Sequence, residues 1–287
     1  MQQSVLTSTP NIAIQGERGS FHEIAARKFL GNEIELTMCD SFPALFRSLD
    51  NGVAEIGVMA IENTVAGTLL PNYALLRNSN YRVIGEVYLR IAHQLMALPG
   101  QRIEDIREVH SHPMAIRQCH RFFSQYPHIR LIEKADTAGS AAWIQEQQAK
   151  GIAAIASELA AETYELPILA HNVEDNPRNF TRFLIILDKE VAPEKPGPAN
   201  KASVCFNLAH QVGSLSQILL VLSAHGMNLT KIQSLPIVGQ EWEYFFHIDL
   251  EFDDHAQYER ALSAIQHQVN ELKVLGEYPR GDKQNVA

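Results

Sequence analysis

Short apolar runs separated by polar, turn-forming residues recur along most of this chain, and their spacing switches between two periods. The segments Asn11–Gln15, Ile34–Met38, Glu55–Ile61, Glu108–His110, Ile129–Glu133, Ile152–Ala156 and Phe183–Leu187 have the length and composition of strands, and Tyr81–Leu98 reads as one long strand. Between them, Pro43–Leu49, Ala115–Ser124 and Ala138–Ala149 repeat apolar residues at helical spacing. This alternation predicts α/β layers. Gly16-Glu17-Arg18-Gly19 reads as a turn after the first strand. Ser20 and Glu23 have the spacing of a capping box, so a helix should begin near Ser20. The pattern breaks at Val191–Ala199, whose prolines cannot continue a helix or a central strand, and residues 190–200 read as a linker. Beyond it come strand Val204–His210, helix Ser214–His225, strands Leu229–Pro236 and Glu243–Phe252, helix Ala256–Gln268 and strand Lys273–Pro279. That order predicts a ferredoxin-like βαββαβ unit over residues 201–280.

Composition narrows the partners. With 287 residues, 46% of them hydrophobic, the chain can fill the cores of two or three domains. A net charge of -9 argues against nucleic acid or an anionic membrane as general partners, because the diffuse field repels polyanions. Any anionic ligand needs local positive potential instead. Cys39, Cys119 and Cys205 are odd in number and widely spaced, which suggests neither a disulfide framework nor a Cys-x-x-Cys site. The first ten residues lack basic residues and an apolar core, and runs such as Ile218–Leu222 are too short to span a bilayer. The expected location is the cytoplasm.

Two segments carry candidate chemistry. Asn179-Phe180-Thr181-Arg182-Phe183 sets a hydroxyl beside a guanidinium at the start of an apolar strand. It can bring a hydrogen-bond donor and a fixed positive charge to the mouth of a sheet, where small anions bind. Upstream, Ile61-Glu62-Asn63-Thr64-Val65-Ala66-Gly67 ends another strand in a polar cluster and a glycine, so two such corners can face one cleft. Together these segments resemble the N-x-T-R-F and I-E-N-S/T-x-x-G marks of the prephenate dehydratase family. Gly19-Ser20-Phe21-His22, Ser111-His112-Pro113 and Ala153-Ala154-Ile155-Ala156-Ser157 resemble further family segments, and the likeness covers roughly residues 11–280.

The resemblance implies a catalytic region over residues 11–189 with two lobes, in the manner of periplasmic type II binding proteins. Lobe 1 would be about 11–88 plus 172–189 and lobe 2 about 89–171, followed by an ACT regulatory domain at 201–280. It implies loss of carbon dioxide and water from prephenate to give phenylpyruvate, a step driven by aromatisation. No redox cofactor and no metal are called for. His110 and His112 share a strand face, but no third ligand accompanies them at metal spacing.

The same resemblance makes Thr181 the donor to the departing hydroxyl, against the plain reading of a strand threonine. Candidate substrate contacts are Asn63, Thr64, Glu62, Ser111, His112, Asn179, Arg182 and Phe183. Arg182 either clamps a carboxylate or bridges the lobes, because adjacent strand residues face opposite ways. Phe183 either walls the ring or fills the core. Glu62 sits oddly near a dianion and either orders Asn63 or supports the turn at Gly67, whereas Asn63 and Thr64 are uncharged donors suited to a substrate oxygen. Ser111 and His112 act as donors or as plain turn residues. Ser20, Thr137 and Ser157 stand near helix starts, where they either help free amides hold a carboxylate or simply cap. Met114 replaces the glutamine usual in the family, so any contact from that glutamine is lost or replaced.

In the C-terminal unit, Gly213-Ser214-Leu215 and Gln233-Ser234-Leu235-Pro236 occupy the places of the G-A-L and E-S-R-P segments of phenylalanine-sensing ACT domains. L-phenylalanine is therefore the expected effector, with two charges of the second segment altered, and domain pairing implies a homodimer or homotetramer. Arogenate dehydratase is the nearest alternative, and a non-catalytic amino-acid sensor is the alternative from another class.

Overall fold

A computed structural model describes residues 9–192, 198–208, 211–237, 239 and 243–282. Along the chain run β1 (Asn11–Gln15), α1 (Phe21–Leu30), β2 (Glu35–Cys39), α2 (Phe42–Asp50), β3 (Ile56–Asn63), β4 (Gly67–Thr68), α3 (Leu70–Asn78) and β5 (Tyr81–Arg90). Next come β6 (Gln94–Ala97), β7 (Glu108–Ser111), α4 (Pro113–Arg117), α5 (His120–Phe123), β8 (Arg130–Glu133), α6 (Thr137–Gln147), β9 (Ile152–Ala156), α7 (Glu158–Thr163), β10 (Ile168–Ala170) and β11 (Phe180–Asp188). The last elements are β12 (Lys201–Asn207), α8 (Ser214–Ala224), β13 (Asn228–Pro236), β14 (Tyr244–Glu251), α9 (His255–Gln266) and β15 (Glu271–Tyr278).

Among the described residues the strands form three sheets. The first has the order β2-β1-β3-β11-β5 with β4 paired to β3, the second β10-β6-β9-β7-β8, and the third β13-β14-β12-β15. Strands β1, β2 and β3 run parallel, as do β8, β7 and β9, while β6 is antiparallel to both β9 and β10. Burial on both faces explains the near-continuous apolar runs of the second sheet. Leu95, Ala97, Ala153 and Ile155 enter one core, whereas Met96, Leu98, Ala154 and Ala156 enter the other beneath α6 and α7.

Among the described residues the chain divides into two compact units, one holding 9–68 and 87–183 and the other 69–86 and 184–282. Of the three boundaries, 86/87 and 183/184 fall inside strands, β5 and β11, and 68/69 lies between β4 and α3. The second unit contains the third sheet, α8 and α9, built on a core that includes Val204, Phe206, Ile218, Leu222, Ile248, Leu250, Tyr258 and Ile265. It also takes in α3, which packs on β15. There Gly276 approaches Val83 so closely that a Cβ would lie 2.1 Å from the Val83 carbonyl oxygen.

Several elements differ from the sequence expectation. The apolar stretch Tyr81–Leu98 is two strands in two sheets, broken where the Ile91 amide turns to the Asn179 carbonyl at 2.7 Å. Ala115–Ser124 is likewise split, into α4 and α5. Thr137 is the first residue of α6 and not its cap, a place held by Asp136, whose carboxylate accepts from the Gly139 amide at 2.7 Å. The first strand of the third sheet covers Lys201–Asn207, while the expected end at His210 and the prolines Pro193 and Pro196 of the linker lie outside the described residues.

Candidate active site

The site begins with an asparagine turn. At the end of β3 the side-chain oxygen of Asn63 accepts from the Val65 and Ala66 amides at 2.9 and 2.7 Å, an arrangement that closes the tight connection to β4. Gly67 completes it at φ +88°, where a side chain would strain the backbone. Main-chain amides can only donate, so they fix which end of the Asn63 amide is oxygen. Its nitrogen must then face β11. There Nδ2 donates to Asn179 Oδ1 at 2.8 Å and to Thr181 Oγ1 at 2.9 Å.

Both hydrogens of Nδ2 are thereby engaged within the protein, one of them on Thr181. Thr64 is stitched to the same strand. Its amide donates to the Phe180 carbonyl at 2.9 Å, its hydroxyl accepts from the Phe180 amide at 2.9 Å, and that hydroxyl donates to the Arg178 carbonyl at 3.1 Å. Thr181 itself is buried, at 7% exposure, and its oxygen already accepts from Asn63. The hydroxyl proton is consequently available to an acceptor outside this turn.

Neighbouring positions take separate roles. Arg182 is buried and, by strand alternation, faces away from Thr181. Phe183 is a core residue whose ring meets the His22 imidazole edge to face at 5.0 Å, and the His22 ring also lies 5.5 Å from that of Phe42. Burial pushes the His22 pKa down to about 3, and its Nε2 faces the Ala60 amide at 3.4 Å, so the ring is a neutral acceptor there. Glu62 pairs in register with Thr68 across the β3–β4 ladder.

The other candidates, Ser111 and His112, lie at the end of β7 in the second sheet. Ser111 is fully buried and donates to the Ile155 carbonyl at 2.6 Å, which commits its hydroxyl to the sheet. His112 caps α4, its Nδ1 accepting from the Met114 amide at 3.2 Å, and burial holds its pKa below the ordinary value. His110 Nε2 lies 3.1 Å from a Glu108 carboxylate oxygen, a pairing with no share in the site.

Two residues that the sequence did not point to complete the network. Gln118, at the end of α4, accepts at Oε1 from Asn179 Nδ2 at 2.8 Å, and the His93 Nε2 lies 3.1 Å from the same oxygen. His93 follows the β5 break. It is held there by its amide donating to Glu174 at 2.9 Å, and the other oxygen of that carboxylate pairs with Arg90 at 2.8 Å. No local pattern marks these residues, because each bond joins parts of the chain far apart in sequence.

The two sheets also meet at Gly19. Its carbonyl accepts from the Ser157 hydroxyl at 2.5 Å, and the Tyr164 hydroxyl donates to the Arg18 carbonyl at 3.0 Å. Ser20 and Ser157 both act as helix caps, accepting from the Glu23 and Ala160 amides at 3.3 and 3.0 Å. Gly19 has φ +79°, and a Cβ added there would lie 2.5 Å from the Ala160 Cα. Gly19→Ala should therefore destabilise the protein by ~2 kcal/mol or more, from left-handed strain and overpacking together. Thermal unfolding measures this, and an unchanged midpoint would mean that the approach relaxes freely.

A family model described as prephenate dehydratase matches residues 12–191. A bifunctional chorismate mutase/prephenate dehydratase of Aquifex aeolicus is 34% identical, over 94% of this chain and 73% of that protein. Arogenate dehydratase 2 of Petunia hybrida is 36% identical, over 93% of this chain and 71% of the relative. Among solved structures, prephenate dehydratase from Arthrobacter aurescens in complex with L-Phe matches with a TM-score of 0.84 and 29% identity, covering 96% of this chain and 91% of that one. A protein described as GqqA, a novel type of quorum quenching acylase, matches with a TM-score of 0.85 and 31% identity, covering 94% of this chain and 98% of its own.

Proposed function

The chain belongs to the prephenate dehydratase family and is an enzyme of that type, and from this we propose that Thr181 is its hydrogen-bond donor to the departing hydroxyl of the substrate. The observation that carries the proposal is the bond from Asn63 Nδ2 to Thr181 Oγ1. A hydroxyl whose oxygen already accepts is polarised to donate and has its proton aimed elsewhere. It is less suited to be a nucleophile, which requires a base to remove that proton and a free lone pair to attack.

In the reaction the bond from the ring to its carboxylate breaks and carbon dioxide leaves. The electron pair enters the ring and expels the hydroxyl, which takes up one proton and departs as water. Aromatisation supplies the driving force, so the protein has to orient a dicarboxylate and stabilise charge on the leaving oxygen. Arg182 is the candidate for a carboxylate or for an internal ion pair. Residues 11–189 form the catalytic region in this reading, with lobes at about 11–88 plus 172–189 and at 89–171.

Purified protein incubated with prephenate and with arogenate at neutral pH, followed by quantification of phenylpyruvate and phenylalanine, tests the assignment. We expect phenylpyruvate from prephenate. Phenylalanine formed preferentially from arogenate would shift the substrate to the one named for the Petunia relative, and no product from either would favour a non-catalytic sensor.

The third sheet is read as an ACT domain over residues 201–280. Its element order βαββαβ supports this reading, as does a structural relative solved with L-Phe. The proposed effector segments sit at the start of α8, where Gly213 has φ +87°, and along β13, which lies at the edge of the sheet. Gln233 Nε2 donates to the Ser234 carbonyl at 2.9 Å, so a change of partner there would accompany ligand binding. Pairing of this edge between copies would give the homodimer or homotetramer. Among the described residues no helix is long and apolar enough to cross a membrane.

Calorimetry on the intact protein should detect L-phenylalanine binding. Coupling is reciprocal, so substrate should change effector affinity by the factor by which the effector changes substrate affinity. A protein that neither binds phenylalanine nor changes rate in its presence would end the regulatory reading and leave the catalytic one standing.

A further inference from the structure

The hydrogen bonds around Thr181 have a direction set at one end. The Val65 and Ala66 amides orient Asn63, whose nitrogen must then donate to Asn179 Oδ1. That contact orients the Asn179 amide in turn, leaving Asn179 Nδ2 to donate to Gln118 Oε1. An amide oxygen only accepts, so the His93 nitrogen facing the same atom must be the protonated one. The chain of donors thus fixes the His93 tautomer, with hydrogen on Nε2 and none on Nδ1. His93 Nδ1 is buried without a hydrogen-bond partner, a placement tolerable for a bare acceptor and costly for an N–H donor.

Resting on the functional reading above, we propose that Gln118, oriented by His93, is a positioning residue for Thr181 that acts through Asn179 and Asn63. Gln118 caps the C-terminal end of α4, which follows β7 of the second sheet, whereas Asn63 ends β3, Thr181 lies in β11 and Asn179 directly precedes it in the first. The link Asn179–Gln118 therefore ties the donor hydroxyl to both sheets of the unit. Its consequence is directional. Losing the acceptor on Gln118 frees Asn179 to rotate, which removes the acceptor that holds one hydrogen of Asn63 Nδ2. The other hydrogen, the one aimed at Thr181, then loses its fixed line. His93 restrains Gln118 by donating to the same oxygen, and it is restrained through its own amide by Glu174.

The test uses the intact chain and four variants. Gln118→Leu keeps side-chain bulk and removes the acceptor, and it should lower kcat on prephenate by about tenfold or more, as expected when a reacting group is held less firmly. KM should stay within about threefold, since the proposal gives Gln118 no contact with substrate. Gln118→Glu restores an acceptor for both Asn179 and His93 and should recover most of the lost kcat at neutral pH.

A cycle with Asn63→Ala separates positioning from general structure. If Gln118 acts through Asn63, adding Gln118→Leu to Asn63→Ala lowers kcat little further, whereas independent effects would multiply. Melting temperatures for all four proteins give the stability cycle beside the kinetic one. Multiplicative kcat effects, a rise in KM that matches the fall in kcat/KM, or wild-type kcat in Gln118→Leu would each overturn the proposal while wild-type turnover upheld the functional reading. A wild-type protein inactive on both prephenate and arogenate would overturn that reading and the catalytic role of the relay with it.

Discussion

Thr181→Val should lower kcat by about 10²–10⁴, the span associated with a positioned acid or donor group, while KM changes by no more than about threefold. Valine keeps the branched shape and the strand preference of threonine, so the loss isolates the hydroxyl. Two effects compete in the measurement. Removing Oγ1 also deprives one Asn63 hydrogen of its acceptor at 2.9 Å, which costs about 1–3 kcal/mol of stability. That cost appears in the melting temperature and leaves kcat per folded molecule untouched, so the two are separable. Thr181→Ser, which retains a hydroxyl, should fall between wild type and Thr181→Val. A folded Thr181→Val protein with wild-type kcat would remove Thr181 from the reaction.

What could be read from the sequence was local. Strand periodicity located β1, β3, β9 and β11 because both faces of those strands are buried and their apolar runs are unbroken. The motif around Thr181 was legible as a strand entry. The cap at Ser20 was legible too, since its bond to the Glu23 amide spans three residues. The sequence did not reveal the use made of Asn63. Its partners Asn179 and Thr181 lie 116 and 118 residues away, and no local pattern distinguishes an asparagine that binds substrate from one that aims a threonine. The break inside Tyr81–Leu98 was hidden for a related reason. No proline or glycine marks the break at Ile91–His93, and the strand ends because β5 and β6 join different sheets. Helix α3 carries only a weak apolar stripe, and its identity depends on packing against β15.

The largest stability effect is expected in the second unit, at a lysine that composition alone would place on the surface. Lys201 opens β12, yet its side chain is 1% exposed and pairs with the fully buried Glu86 of β5 at 2.9 and 3.1 Å. Glu86 also accepts from the Gly281 amide at 2.9 Å, so the pair joins β5, β12 and the segment that follows β15. Lys201 Nζ also lies 3.6 Å from a Glu251 oxygen, and removing the lysine takes from the buried Glu86 carboxylate this cation at 2.9 Å, a break of the kind that costs about 3–5 kcal/mol. Lys201→Met should accordingly lower the melting temperature by roughly 10 °C. The double substitution Glu86→Gln with Lys201→Met should recover much of that loss, because it removes the buried carboxylate charge as well as the attraction. Raising the salt concentration should shrink the effect very little, since a pair this deeply buried lies beyond ionic screening. A Lys201→Met protein that melts with the wild type, or a double variant that melts below both singles, would show that water reaches the pair and that its burial does not govern the stability of this unit.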